Sequence, residues 1–115
     1  MKLLLVDDSD RVRGVIKRLV GGLCEAIYEC ADGAEALAAY NEFHPDWVLM
    51  DIRMQNVDGL EATRQIIAAH QDARVVIVTS YDEAWMRETV RQAGACGYVL
   101  KEDLATLRQI LAAPP

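Results

Sequence analysis

Acidic, hydroxyl and amino side chains follow short apolar runs of the sequence, each at the point where its run ends. Asp7 and Asp8 follow the first run, Asp51 follows "VLM", Thr79 closes a fourth run, and Lys101 follows the last. An ionised carboxylate in an apolar interior is unfavourable unless it is paired or binds a metal ion. Three gathered acids would also repel one another. The set therefore predicts a positive charge among them, supplied by the lysine, by a divalent cation, or by both.

The ligand atoms in this set indicate which cation it would hold. Carboxylate oxygens without His or Cys favour a hard ion, Mg²⁺ or Mn²⁺, over Zn²⁺. Mg²⁺ accepts a phosphate oxygen, and the hydroxyl of Thr79 and the ammonium of Lys101 suit the other oxygens of a phosphoryl group. A carboxylate such as Asp51 can act as a nucleophile toward phosphorus and form an aspartyl phosphate. The chemistry indicated is positioning and charge neutralisation during phosphoryl transfer.

Each residue also has an ordinary structural explanation when it is taken alone. Asp7 and Asp8 could cap a following helix, and Asp51 could belong to a cap or a turn. Thr79 could be a β-branched strand residue, and Lys101 a lysine that reaches solvent from a strand end. What favours chemistry is the ordered set, in which every member follows an apolar run.

Five apolar runs alternate with helical patterns, and this alternation predicts the elements that position the set. Near-continuous apolar character suits parallel strands that are covered on both faces. Five βα units predict an α/β fold, a doubly wound (βα)5 parallel sheet with helices on both faces, whose ligands bind beyond the carboxyl ends of the strands. One run contains an acid, Glu29, which places it near a sheet edge. The predicted strands are Leu3–Val6, Ala26–Cys30, Trp47–Met50, Val75–Val78 and Tyr98–Leu100.

Four aspartates are predicted to begin helices. Asp32 and Asp58 each precede a glutamate by three residues, which is the spacing of a capping box. Asp82 and Asp103 precede the last two helical patterns and are predicted to cap them.

Composition narrows the class of protein. The 115 residues carry a net charge of −6, which argues against direct nucleic-acid binding by this domain. The three cysteines show no CxxC spacing and are expected to be free thiols. The first apolar run is shorter than a signal peptide or a membrane helix requires, so no membrane association and a cytoplasmic location are expected. The predicted domain spans residues 1–112, and 113–115, within "ILAAPP", begin a linker.

Taken together, these motifs resemble the CheY-like receiver domain of bacterial two-component response regulators. The resemblance runs through "LLLVDDSDRVR", "VLMDIRMQNVDGLEAT", "VVIVTSYDEA" and "GYVLKEDLATLRQIL", which cover essentially the whole chain. It implies a flavodoxin-like sheet with strand order 2-1-3-4-5. It also implies a switch that catalyses its own phosphorylation and dephosphorylation without being an enzyme of the usual kind.

The resemblance implies a role for each polar residue at the metal. Asp51 would be the phospho-acceptor. Asp8 would ligate Mg²⁺ directly, with Mn²⁺ as a substitute, and Asp7 would lie close by or act through water. The backbone carbonyl of Arg53 would be a further ligand.

It also implies roles for the residues around the phosphoryl group. Thr79 would form a hydrogen bond to it and Lys101 would pair with it. Tyr98 matches the aromatic residue that changes rotamer on activation. Arg53 and Tyr81 occupy two variable positions that modulate how water reaches the acyl phosphate.

Two positions depart from the family pattern. Many members have proline where this chain has Gln55, and proline after the lysine where it has Glu102. The lysine–proline bond is often cis in the family, whereas a cis bond before a non-proline residue costs about 3–4 kcal/mol. The conformation after Lys101 is therefore open, although its charge is not.

The resemblance also implies partners. A sensor histidine kinase would donate the phosphoryl group. The pattern is most similar to receivers that precede a helix-turn-helix DNA-binding domain, so an output in transcription would need a domain outside these 115 residues. We expect a monomer, with phosphorylation favouring a homodimer. Trp85, beside the helical stripe of Met86, favours peripheral packing over a partner surface.

Three other classes of protein compete with this interpretation. A haloacid-dehalogenase-type phosphatase would need a second aspartate two residues after its nucleophile, where this chain has Arg53. A flavodoxin-like nucleotide binder would need a phosphate-binding loop after the first strand, where "DDSD" repels phosphate unless a metal intervenes. A degenerate receiver that only binds partners is the more serious rival, but every reactive position is filled.

Overall fold

The computed structural model describes residues 1–54 and 56–112. In this part of the chain, five parallel strands form one sheet in the order β2-β1-β3-β4-β5. The predicted doubly wound (βα)5 fold and its strand order are confirmed. The predicted linker at 113–115 and the departure at Gln55 lie outside the described residues.

The strands agree closely with the five apolar runs. Ala26–Cys30 lies at the edge of the sheet, as Glu29 predicted, and its residues Tyr28 and Glu29 are exposed. The strands are β1 Lys2–Val6, β2 Ala26–Cys30, β3 Trp47–Met50, β4 Val75–Thr79 and β5 Gly97–Leu100. The helices are α1 Asp10–Val20, α2 Ala36–Phe43, α3 Gly59–Ala69, α4 Ala84–Gln92 and α5 Thr106–Ala112.

The sheet separates two apolar layers, because successive side chains of a strand point to opposite faces. Leu4 and Val6 of β1 pack in a cluster with residues of α2, α3 and α4. Leu3 and Leu5 of the same strand pack with residues of α1 and α5. Both layers are buried, so the strands between them are held rigidly and their carboxyl ends are fixed in space.

Helix starts were predicted with mixed success. Asp58 caps α3, since its Oδ1 accepts from the backbone N–H of Glu61 at 2.9 Å. Asp32 begins a one-turn 3-10 helix, Gly33–Glu35, that leads into α2.

Two predicted caps are wrong. Asp82 accepts a hydrogen bond from Arg87 at 2.9 Å, and α4 begins after Glu83, whose side chain makes no cap bond. Asp103 belongs to a one-turn 3-10 helix that precedes α5. Both aspartates stand too far from the first turn of the helix they were assigned to.

Two other expectations concern the surface. Trp85 is 64% exposed, so its predicted peripheral packing is wrong: it lies at the start of α4, on the side turned away from the core. The three cysteines are free thiols, as predicted. The longest described helices have 11 residues, and within residues 1–54 and 56–112 none has the length and hydropathy to span a membrane.

Candidate functional site

The register of the central strands brings two aspartates side by side. Val6 pairs with Met50, so the residues that follow them, Asp7 and Asp51, leave the sheet together. The backbone N–H of Asp51 donates to the carbonyl of Val6 at 2.8 Å, which continues the ladder by one bond. Asp7 is 1% exposed and Asp51 is 5% exposed, so both carboxylates are shielded from bulk water.

A third carboxylate completes an acidic cluster at this edge. One oxygen each from Asp7, Asp8 and Asp51 lies within 4.8 Å of the others. Asp8 is exposed and faces solvent, whereas the other two are buried. The Oδ1 of Asp7 accepts from the backbone N–H of Ser9 at 2.8 Å, and Ser9 itself caps α1. The Asp7 side chain is therefore held by the residue that caps α1.

Lys101 lies between the two buried carboxylates. Its Nζ is 3.1 Å from Asp7 Oδ2 and 3.3 Å from Asp51 Oδ1. Partial burial would lower the pKa of the Lys101 amine, but the neighbouring carboxylates of Asp51 and Asp7 raise it overall, so the lysine is charged. The structure thus brings the predicted positive charge among the acids.

The electrostatics of Asp51 differ from those of an ordinary surface carboxylate. Burial and the nearby charge of Asp7 raise the pKa of Asp51 to about 6, against an opposing effect of Lys101. One lysine leaves the three carboxylates with surplus negative charge. A divalent cation would offset that surplus, and the oxygen-only donor set fits Mg²⁺. The residues present therefore fit a magnesium ion.

The loop that follows Asp51 returns tightly to the same edge. Gly59 donates its N–H to the carbonyl of Ile52 at 2.8 Å. A Cβ on Gly59 would lie 1.8 Å from the carbonyl oxygen of Asp51, so a side chain there would force the loop away. Gly59 therefore lets the first turn of α3 pack against the backbone of Asp51.

Thr79 and Tyr98 are joined through the backbone of one residue. Thr79, the last residue of β4, is 1% exposed, and its Oγ1 accepts from the N–H of Tyr81 at 3.3 Å. The hydroxyl of Tyr98 donates to the carbonyl of the same Tyr81. The Tyr98 ring also lies under the guanidinium of Arg87, 4.4 Å from its centroid. Sequence reasoning found both residues but not the link between them.

Arg53 and Tyr81 meet at the mouth of the site. The guanidinium of Arg53 lies 4.7 Å from the centroid of the Tyr81 ring, the geometry of a cation–π contact. Both side chains come from loops at the carboxyl edge of the sheet, one after β3 and one after β4. The two predicted modulating positions therefore touch each other.

The bond between Lys101 and Glu102 is trans, since no peptide bond among the described residues is cis. The chain continues from Lys101 into a one-turn 3-10 helix. Lys101 therefore contacts both carboxylates without the cis peptide bond that is often found at this position in the family.

Arg13 belongs to the site, and sequence reasoning missed it. Its guanidinium donates to the backbone carbonyl of Asp7 and to the carboxylate of Asp10. Its Nε donates to Glu29 of β2 at 3.0 Å. The available signal is weak, since an arginine in the first turns of a helix is usually exposed.

Comparison with known proteins gives one consistent picture. Residues 3–112 match the family model described as response regulator receiver domain. The chain is 40% identical over 103 residues to the response regulator GacA of Pseudomonas syringae, covering 88% of this chain and 48% of that protein. It is 33% identical over 104 residues to the transcriptional regulatory protein DegU of Brevibacillus brevis, covering 89% and 44% respectively. The chain thus spans about half the length of these relatives.

A solved structure agrees with the sequence comparisons. The two-component response regulator of the LuxR family from an Aurantimonas species superposes with a TM-score of 0.87 at 37% identity. The match covers 96% of this chain and 84% of that one.

Proposed function

The chain belongs to the response regulator receiver domain family, and we propose that it is a phosphorylation-controlled switch in which Asp51 accepts a phosphoryl group. The observation that carries this proposal is the position of Lys101, whose Nζ lies within 3.3 Å of both Asp7 and Asp51. Lysine, hydroxyl and acids stand on one sheet edge, which is the arrangement that phosphoryl transfer to a carboxylate needs. Asp7 and Asp51 are both buried and both contact Lys101, and the family resemblance assigns the role of acceptor to Asp51.

The transfer itself follows from the chemistry of a carboxylate nucleophile. An oxygen of Asp51 attacks the phosphorus of a phosphohistidine, the P–O bond forms, and the P–N bond breaks. The electron pair leaves with the imidazole, which takes up a proton. Asp7, Asp8, Asp51 and the backbone carbonyl of Arg53 are the proposed ligands of Mg²⁺. When bound, the ion supplies charge neutralisation at the phosphoryl oxygens.

Switching is proposed to run through the residues around Tyr81. A phosphoryl group on Asp51 adds negative charge that Lys101 and the Thr79 hydroxyl can both meet. Moving Thr79 toward that charge breaks its hydrogen bond with the N–H of Tyr81. The Tyr81 carbonyl then shifts relative to the Tyr98 hydroxyl, and β5 and α4 respond. This is a local change of charge acting on an element with two arrangements.

The partners are part of the proposal. A sensor histidine kinase is the proposed donor, since a carboxylate acceptor with a lysine and a metal site requires an activated phosphoryl group. Similarity to a transcriptional regulatory protein over less than half its length supports an output in transcription, through a DNA-binding domain outside this chain. We propose that residues 1–112 form the receiver unit and that it acts in the cytoplasm. We also propose that it is a monomer and that phosphorylation favours its dimerisation.

The test is incubation with acetyl phosphate and Mg²⁺, followed by intact-mass measurement. We expect a gain of one phosphoryl group in the parent protein and none in Asp51→Asn. The matched control is Asp46→Asn, because Asp46 is an aspartate at the opposite edge of the same sheet. It should gain the group as the parent does. No gain in the parent would identify a degenerate receiver, and an undiminished gain in Asp51→Asn would remove Asp51 from its role.

A further inference from the structure

A buried carboxylate outside the acidic cluster binds the loop that follows Asp51. Asp32 stands after β2 and is 9% exposed. Its Oδ2 accepts from the backbone N–H of Asn56 at 2.9 Å, and its Oδ1 accepts from that of Val57 at 3.2 Å. The same Oδ1 accepts from the N–H of Ala34 at 2.8 Å. One side chain therefore connects the loop after β2 to the loop after β3.

The neighbouring glycine shows how closely these loops approach. A Cβ on Gly33 would lie 2.3 Å from the carbonyl oxygen of Val57. Val57 is thus in close backbone contact with Gly33, and Asn56 and Val57 are also hydrogen-bonded to Asp32. At its other end the loop is closed by the bond from Gly59 N–H to Ile52 O, at 2.8 Å. Arg53 lies inside this closed segment.

We propose that Asp32 is a positioning residue for the metal site: by fixing the backbone at Asn56 and Val57, it holds the Arg53 carbonyl in place for the cation. The inference rests on the proposed function, since it assigns a second layer of support to the same site. Groups that orient metal ligands without touching the metal commonly change metal affinity by about 10- to 100-fold when they are removed.

The way Asp32 carries its charge supports this role. Among the ion pairs of the described residues, none includes Asp32, so backbone N–H groups are its partners. Bonds from Ala34 and Asn56 lower the pKa of the Asp32 carboxyl. The hydrogen bonds that stabilise the Asp32 carboxylate also fix the positions of the backbone amides that donate them. Moving the loop would remove the Asn56 and Val57 donors and leave the Asp32 carboxylate with the Ala34 N–H.

Two substitutions separate the local role of Asp32 from its reach to the loop. Asp32→Asn keeps an oxygen for Ala34 and Val57 but turns an amide NH₂ toward the N–H of Asn56, so two donors face each other. Asp32→Ala removes all three bonds. The matched control is Asp46, which accepts from the N–H of Lys2 at 2.7 Å at the opposite edge of the sheet. Asp46→Ala removes this bond, whereas Asp46→Asn keeps an oxygen that can accept it, and neither change touches the loop.

The measurement is Mg²⁺ affinity by titration calorimetry on the full chain, without a phosphoryl donor. We expect Asp32→Ala to raise the dissociation constant about tenfold or more, Asp32→Asn to raise it less, and both Asp46 variants to match the parent. Hydrogen exchange should quicken at the amides of Asn56 and Val57 in the Asp32 variants only. If Asp32→Ala does not fold, Asp32→Asn carries both readouts.

The outcomes distinguish this inference from the function on which it rests. A parent that binds Mg²⁺ and accepts a phosphoryl group, with unchanged affinity in the Asp32 variants, would overturn the positioning role alone. Lower melting temperature with unchanged affinity would have the same meaning, because it reports only a structural cap. A parent that binds no Mg²⁺ would overturn both proposals.

Discussion

Charged residues are arranged differently at the two ends of the strands, the amino edge and the carboxyl edge of the sheet. At the amino edge, Asp46 is exposed and accepts from the N–H of Lys2 at 2.7 Å. Arg74 lies 4.2 Å from the centroid of the Trp47 ring, and its Nε donates to the carbonyl of Asp46 at 3.1 Å. Asp46 is exposed, Arg74 is partly exposed, and both have local partners, so these contacts stabilise the fold without burying an unpaired charge.

At the carboxyl edge two carboxylates are buried, and the charges of the acidic cluster and Lys101 do not balance. Asp7 and Asp51 share the single ammonium of Lys101, and Asp8 adds a third negative charge. Burial and repulsion raise the pKa of Asp51 to about 6, which means that the folded protein disfavours its ionised form. At the amino edge the charged contacts stabilise the fold, whereas at the carboxyl edge the excess negative charge destabilises it. The excess of negative charge at the carboxyl edge is therefore a cost in free energy that the rest of the fold must offset.

Removing the ammonium that Asp7 and Asp51 share should have the largest effect. Lys101→Ala leaves two buried carboxylates unpaired, and we expect a loss of about 3 kcal/mol in the free energy of unfolding at pH 7 in EDTA. Mg²⁺ should restore part of that loss, since it neutralises the same oxygens. Chemical denaturation with and without the ion measures both.

The control is at the other edge. Arg74→Ala should cost less than about 1 kcal/mol and should not respond to Mg²⁺, because its partners are exposed or aromatic. Equal losses in the two variants would contradict the contrast between the edges.

Removing a surplus charge should have the opposite sign. Asp51→Asn should raise the free energy of unfolding by about 2 kcal/mol at pH 7, since the raised pKa opposes folding of the ionised form. The folded Asp51, with a pKa of about 6, binds a proton more readily than its unfolded counterpart. The cost is therefore full above pH 6 and falls as the pH drops toward 4. Denaturation curves at pH 4.5 and 7.5 test this, and a gain that is equal at both would exclude the titration of Asp51 as its cause.

Metal binding should stabilise the carboxyl edge by a smaller amount. At ten times its dissociation constant, Mg²⁺ should add about 1.4 kcal/mol to the free energy of unfolding of the parent. Asp8→Asn should lose most of this increment, because it removes the exposed carboxylate of the cluster. Thermal unfolding at several Mg²⁺ concentrations gives the increment. An increment that survives in Asp8→Asn would place the ion elsewhere.

The smallest effect is expected where an arginine–aromatic contact covers the site. Arg53 over Tyr81 should hinder the water that hydrolyses the acyl phosphate, so Arg53→Ala together with Tyr81→Ala should shorten its lifetime about threefold, or about 0.6 kcal/mol in barrier height. Loss of the phosphorylated mass over time measures the decay. The pair Arg74 and Trp47 is the same kind of contact at the other edge, and Arg74→Ala should leave the decay unchanged. If the acyl phosphate of the double variant decays no faster than that of the parent, the Arg53–Tyr81 contact does not hinder the attacking water.

How much could be predicted from the sequence depends on the range of the contacts involved. Apolar runs predicted all five strands, because a parallel strand covered on both faces has little choice of composition. The edge position of β2 also followed from one interrupting acid, Glu29. Asp58 was correctly assigned as a cap since capping depends on residues three apart.

The rest depends on three-dimensional neighbours. Asp82 was wrong as a cap because α4 begins after Glu83, one residue later, and the Asp82 carboxylate accepts from Arg87 instead. Trp85 was expected to pack, but the first turn of α4 leaves its side chain in solvent. The reach of Asp32 to Asn56, over 24 positions, left no periodic signal. At the site, the order of polar residues predicted which groups meet, whereas the link through Tyr81 belongs to the backbone and has no sequence signature.

That link has a consequence for how such a protein can diverge. Tyr81 meets Thr79 and Tyr98 through its own N–H and carbonyl, whereas it meets Arg53 through its ring. Every amino acid except proline offers the same N–H and carbonyl, so under the proposed function a substitution at position 81 would change the decay of the acyl phosphate and keep both backbone bonds. At this position the side-chain contact can therefore vary while the two backbone bonds are kept.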